Sequence, residues 1–97
     1  MEMRLINKKR INIQLFVREE CPSCEQVEND LREYCDSKDH LTFEVLYIED
    51  GYLTPSGKSV YITPALWVNG RLWSFGGFDI NRFDERINQL INKFTHY

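Results

Sequence analysis

Ile11, Ile13, Leu15 and Val17 alternate with Asn12 and Gln14, a period of two that predicts a half-buried strand over residues 11–17. From Pro22 the period changes. Cys24, Val27, Leu31, Tyr34 and Cys35 fall at offsets 0, 3, 7, 10 and 11, one stripe of an amphipathic helix, with Glu25, Glu28, Asp30, Arg32 and Glu33 on its other faces. Residues 43–48 are rich in β-branched and aromatic side chains and predict a second strand. Gly51, Pro55 and Gly57 punctuate residues 49–62, where Thr54 as cap and Pro55 at the first position predict a short helix. Residues 65–75 predict a hairpin about Asn69-Gly70, a pair suited to a turn in which both central residues need φ > 0. Ile80, Phe83, Ile87, Leu90, Ile91 and Phe94, at offsets 0, 3, 7, 10, 11 and 14, predict a closing helix. Asp79 is its expected N-cap, and Asp84 and Glu85 lie early, where the helix dipole favours carboxylates. The order strand, helix, strand, connection, strand, strand, helix predicts an α/β fold. Its central four-stranded mixed sheet is built from a β-α-β and a β-β-α unit.

Residues 1–10 are mostly polar and are expected to be a lead-in, or at most a short extra strand, to one domain over residues 11–97. The chain has 42% hydrophobic and 28% charged residues, the balance of an ordinary globular protein rather than a disordered one. A net charge of −3 gives no reason to expect nucleic acid as a partner, and Lys8-Lys9-Arg10 is too short to change that. No apolar run approaches the roughly 18 residues of a membrane span, and no apolar signal core stands at the N-terminus, so a cytoplasmic location is expected. In a reducing compartment three cysteines do not make a disulfide scaffold. A C-x-x-C there is more often catalytic or metal-binding.

That pair is Cys21-Pro22-Ser23-Cys24, placed directly after the first strand and at the start of the first helix. Unpaired N–H groups and the helix dipole favour negative charge there, and a thiolate is the nucleophilic form of cysteine. Pro22 suits the first helical position, where its missing N–H costs nothing. A zinc set of Cys21, Cys24, Cys35 and His40 fails on spacing. On one helix Cys24 and Cys35 lie about 16 Å apart along the axis, so no metal site is expected. Cys35 is expected to be a small buried hydrophobe and His40 a loop residue. Ser56-Gly57-Lys58-Ser59 is no phosphate loop, since Gly51 lies one residue too early for the G-x4-G-K spacing.

Taken together, these residues resemble the thioredoxin superfamily: a strand, Cys-Pro-Ser-Cys opening a helix, Ile62-Thr63-Pro64-Ala65 before a hairpin, and Gly76-Gly77 before the last helix. The stretch from Thr63 to Gly70, with Gly76-Gly77-Phe78-Asp79, is most similar to glutaredoxins and to small thioredoxin-like proteins of that size. The resemblance spans residues 11–94. It implies a thioredoxin-like, glutaredoxin-type fold, and a cis Pro64 packed beside the active disulfide, with the backbone of Thr63 pairing with an incoming peptide or glutathione. Cis is cheap only at an X–Pro bond.

The implied activity is thiol–disulfide exchange, reducing protein or glutathione mixed disulfides. Cys21 attacks a substrate disulfide, and Cys24, one turn inside the helix, resolves the mixed disulfide. Arg18 favours the Cys21 thiolate whereas Glu19 and Glu20 oppose it, which suggests a reductant-like protein. By the same resemblance Gly76, Gly77 and Asp79 would contact glutathione, with Arg18 in place of the lysine glutaredoxins commonly carry and Lys58 as another positive group. Tyr61 and Trp67 are expected in the core or on the sheet rather than at a ligand. No tightly bound cofactor is expected, glutathione being a co-substrate. The expected partners are disulfide-bearing proteins and a donor, either glutathione or a thioredoxin-reductase-type flavoenzyme, with no membrane. Two alternatives stand beside this: a glutaredoxin-like protein holding an iron–sulfur cluster, and a non-catalytic binding module of the same fold.

Overall fold

The computed structural model describes residues 10–60, 62–75 and 78–95. Its elements are strand β1 (Ile11–Val17), helix α1 (Pro22–Asp36), strand β2 (Leu41–Tyr47), a 3-10 turn (Ile48–Asp50), strands β3 (Ala65–Val68) and β4 (Arg71–Phe75), and helix α2 (Ile80–Thr95). They form one four-stranded sheet in the order β2-β1-β3-β4. The β1–β2 pair is parallel, from Ile11 opposite Leu41 to Val17 opposite Tyr47, whereas β1–β3 and β3–β4 are antiparallel. This is the mixed sheet expected from the hydrophobic pattern, with the helix between the parallel strands supplying the crossover such a pair requires.

The two faces of the sheet are covered differently. Ile11, Ile13, Leu15 and Val17 of β1, with Leu66 and Val68 of β3, pack in one cluster with Val27 and Leu31 of α1 and Phe83 and Ile87 of α2. Phe16, Ala65 and Trp67 point to the other face, where Leu46, Ile48 and Val60 cover them. Central β1 is therefore apolar toward both faces near its C-terminal end, where Leu15, Phe16 and Val17 are all buried. The Asn69-Gly70 turn forms as expected, with φ of 52° and 80°. Asn69 also accepts through Oδ1 from the Asn12 backbone N–H at 2.8 Å, tying the hairpin to β1.

Helix α1 presents the expected stripe, with Cys24, Val27 and Leu31 buried and Tyr34 and Cys35 packed against the same cluster. Tyr34 donates to Asp84 Oδ1 at 2.6 Å, which joins α1 to α2. Its ring meets Phe83 edge-on, and Phe83 also meets Trp73 of β4 edge-on.

Two boundaries differ from the sequence expectation. The second strand runs over Leu41–Tyr47 rather than residues 43–48, because the ladder to β1 begins at Leu41 and Ile48 already belongs to the 3-10 turn. No helix forms at Thr54-Pro55. The Gly57 N–H closes a single turn onto the Thr54 carbonyl, and Lys58 N–H bonds to Thr54 Oγ1. Gly57 has φ of 84°, which stops helical propagation after that turn. Residues 1–9, with the lead-in or extra strand expected there, and Tyr61 lie outside the described residues.

Candidate active site

The site is built where β1 ends and α1 begins. β1 delivers the chain at Val17, Glu20 reverses it with φ of 54°, and Cys21 then stands at the N-cap of α1 in an extended conformation. Pro22 occupies the first helical position, as its fixed φ predicts. Cys21 and Cys24 are disulfide-bonded with their Cα atoms 5.2 Å apart, within the ordinary range for such a bridge. The Cys24 backbone N–H donates to Cys21 Sγ at 3.3 Å, so sulfur takes the place that a serine or aspartate oxygen holds at an ordinary N-cap. Ser23 Oγ lies 3.5 Å from the same sulfur. These donors, with the positive end of the helix dipole, stabilise charge on Cys21 Sγ when the bridge opens. Cys24 lies deeper, 2% exposed against 9% for Cys21, so the first sulfur has more access to a partner.

The register places the Thr63–Pro64 bond at the same end of the sheet. Ala65 pairs with Phe16, and so Pro64 enters β3 beside the last residue of β1. The bond is cis and Pro64 is buried. Thr63 Oγ1 is buried without a hydrogen-bond partner among the described residues.

A family model for the thioredoxin domain matches residues 11–89. The chain belongs to the thioredoxin-domain family. No curated protein matches it closely enough to add a relative. The α/β sheet with its Cys21–Cys24 pair at the first helix is the thioredoxin-like fold that the motif implied.

Around the dithiol of this thioredoxin domain lies a cleft of about 180 Å³, lined by Arg18, Glu19, Glu20, Glu25, Glu28 and Tyr47 as well as both cysteines. The sequence singled out Arg18, Glu19 and Glu20 because they precede Cys21. It did not single out Glu25, Glu28 or Tyr47. Glu25 and Glu28 come to the cleft through helical spacing from Cys21 and Cys24, a signal the helix pattern already contained. Tyr47 comes through the parallel register that sets it opposite Val17, which only the paired sheet reveals. Glu49 braces the loop before Cys21 by accepting from the Glu19 backbone N–H at 3.1 Å.

Asp79 caps α2, accepting through Oδ1 from the Asn81 N–H at 2.9 Å. It lines a different groove, of about 660 Å³, with Trp73, Phe78, Arg82 and Arg86. The structure thus gathers Arg18, Cys21 and Cys24 in one cleft and sets Asp79 in another. Gly76 and Gly77 lie outside the described residues. Lys58 serves the connecting loop through its backbone, where its carbonyl accepts from the Thr54 N–H.

Cys35, near the C-terminal end of α1, is a free thiol half-buried against the main core rather than fully buried. Burial first, and then the neighbouring Asp36 carboxylate, push its thiol up to about 11, with Arg32 opposing. Since α1 is one unbroken helix, Cys35 stands about 16 Å along the axis from Cys24 and takes no part in the dithiol. Burial and its hydrogen bond to Asp84 likewise hold the Tyr34 phenol well above the usual range. Trp67 is buried in the second core cluster, where the sequence placed it.

Proposed function

We propose that this thioredoxin domain is a thiol–disulfide oxidoreductase that reduces disulfides in protein substrates. The observation that carries the reading is Cys21 Sγ at the N-cap of α1, accepting from the Cys24 N–H with Cys24 buried behind it. In the reduced state the Cys21 thiolate attacks a substrate sulfur. The substrate S–S bond breaks, a mixed disulfide forms, and the leaving thiolate takes a proton from water. Cys24, as thiolate, then attacks Cys21 Sγ, releases the second substrate thiol and closes the Cys21–Cys24 bridge. Two electrons pass from the dithiol to the substrate. Thr63 and the cis Pro64, set beside the end of β1, are proposed to position the incoming backbone.

A donor must reopen the bridge, and glutathione or a thioredoxin-reductase-type flavoenzyme is proposed for that role in a reducing, cytoplasmic setting. In the glutaredoxin-type alternative glutathione would be held by Arg18, Gly76, Gly77 and Asp79; against it, Asp79 caps α2 and lines a groove other than the one that holds Arg18 and the cysteines. Among the described residues no helix is long and apolar enough to cross a membrane. Insulin reduction driven by dithiothreitol tests the reading. Acceleration by the wild-type chain and none by Cys21→Ser is expected; equal rates with the two chains would end it.

A further inference from the structure

The dithiol lies in a cleft whose charge is lopsided. Arg18 lines it together with Glu19, Glu20, Glu25 and Glu28. Glu28 is held by Arg32 at 2.8 Å and is thereby largely neutralised, leaving three carboxylates against one guanidinium. Glu49, which accepts from the Glu19 backbone N–H at 3.1 Å, adds a carboxylate beside the loop that carries Glu19. Tyr47, a residue 38% exposed, contributes its ring, and an aromatic face among carboxylates suits a cation. With a volume of about 180 Å³ the cleft has room for one or two side chains beside the sulfurs.

We infer that this cleft makes the domain selective for disulfides flanked by cationic side chains, lysine or arginine, over neutral and anionic ones. The inference rests on the oxidoreductase reading above and names its substrate class. The physical cause is twofold. Carboxylates around the attacked sulfur raise the local concentration of cationic partners and orient them, while the whole chain, at net −3, repels anionic ones. Glutathione disulfide, with four carboxylates and two ammonium groups, is therefore a poor substrate, and reduced glutathione, also net anionic, is the less favoured of the two proposed donors, whereas a disulfide bordered by ammonium groups is a good substrate.

Three small disulfides of similar chemistry separate the charges: cystamine is cationic, 2-hydroxyethyl disulfide neutral and glutathione disulfide anionic. Reduced wild-type chain is mixed with each in excess, and closure of the Cys21–Cys24 bridge is followed by acid quenching and mass spectrometry. In every case the two electrons go to the small disulfide, which leaves as two thiols. At low ionic strength the second-order rate constant with cystamine should exceed that with glutathione disulfide by about tenfold or more. The ratio should shrink several-fold at about 0.5 M salt, where the screening length falls to a few ångströms. The triple variant Glu19→Gln, Glu20→Gln, Glu25→Gln should lower the ratio by about fivefold. Any change in Cys21 nucleophilicity caused by losing the carboxylates cancels in that ratio, because one thiolate attacks both substrates. If the variant does not fold, the salt series on the wild-type chain decides alone. A ratio indifferent to salt, or to the three substitutions in a folded variant, overturns the charge selection while leaving the oxidoreductase reading intact. Failure of all three disulfides to close the bridge overturns both.

Discussion

One helix carries all three cysteines, and its two ends treat them in opposite ways. At the N-terminal end, Cys21 Sγ receives a backbone N–H and sits where the dipole is positive. At the C-terminal end, Cys35 is half-buried beside Asp36, and its thiol is pushed up to about 11. The side chains are chemically identical. What differs is the electrostatic setting: an N–H donor and the positive end of the helix dipole at Cys21, against partial burial, the Asp36 carboxylate and the negative end of the dipole at Cys35; on the proposed reading that difference makes Cys21 the nucleophile. Cys24 stands between them, one turn in, close enough to bond Cys21 and too buried to meet a partner first.

The largest test of this contrast is substitution at the two ends. Cys21→Ser should reduce insulin reduction to the uncatalysed background, whereas Cys35→Ala should leave the rate within about twofold of wild type, since in the proposed mechanism only the first sulfur forms the mixed disulfide. Alkylation sharpens the same point. In reduced protein at pH 8, Cys35 should react with iodoacetamide roughly 100-fold more slowly than a thiol of ordinary acidity, because its thiolate fraction falls by that factor. Peptide mapping by mass spectrometry against time reads both sites. Because folding raises the Cys35 value, the native state holds the proton longer than the unfolded chain. Its contribution to stability is full below about pH 9 and is lost as pH rises toward about 11. Urea midpoints should fall across that window, and Cys35→Ala should flatten the fall.

Smaller effects concern what holds the helix in place. Leu31, fully buried midway along α1, should cost about 2–5 kcal/mol on change to alanine, measured by urea denaturation. Tyr34→Phe removes the bond to Asp84 at the far end and should cost about 1–2 kcal/mol, with disulfide reduction unchanged. Parallel loss of activity there would show that the two ends are not independent.

Much of this was legible before any fold was known. The period-two run Ile11–Val17 and the stripe from Cys24 to Cys35 gave β1 and α1, since burial on one face leaves a direct mark on residue order. Asn69-Gly70 fixed the hairpin because few other pairs tolerate two positive φ values. The start of β2 was less visible. Leu41 and Thr42 gain their strand character from the ladder to Ile11 and Asn12, a partner far away in sequence. Thr54-Pro55 carried a genuine helix-start signal, but Gly57 two residues on left no length over which a helix repays nucleation. At the site, the spacing of Cys21 and Cys24 left metal binding and redox chemistry both open, and only its combination with Thr63-Pro64 and Gly76-Gly77 made the resemblance specific. The acidic cleft was only half visible: Glu19 and Glu20 are neighbours in sequence, while Tyr47 arrives through β2 pairing beside β1.

The most direct test is to trap the first covalent step. Reduced Cys24→Ser chain, which lacks the resolving sulfur, is treated with 5,5′-dithiobis(2-nitrobenzoate) at limiting concentration and digested for peptide mapping. The mixed disulfide should be found on Cys21, with Cys35 essentially unmodified over the same interval. Equal or preferential modification of Cys35 would contradict the assignment of Cys21 as the attacking sulfur.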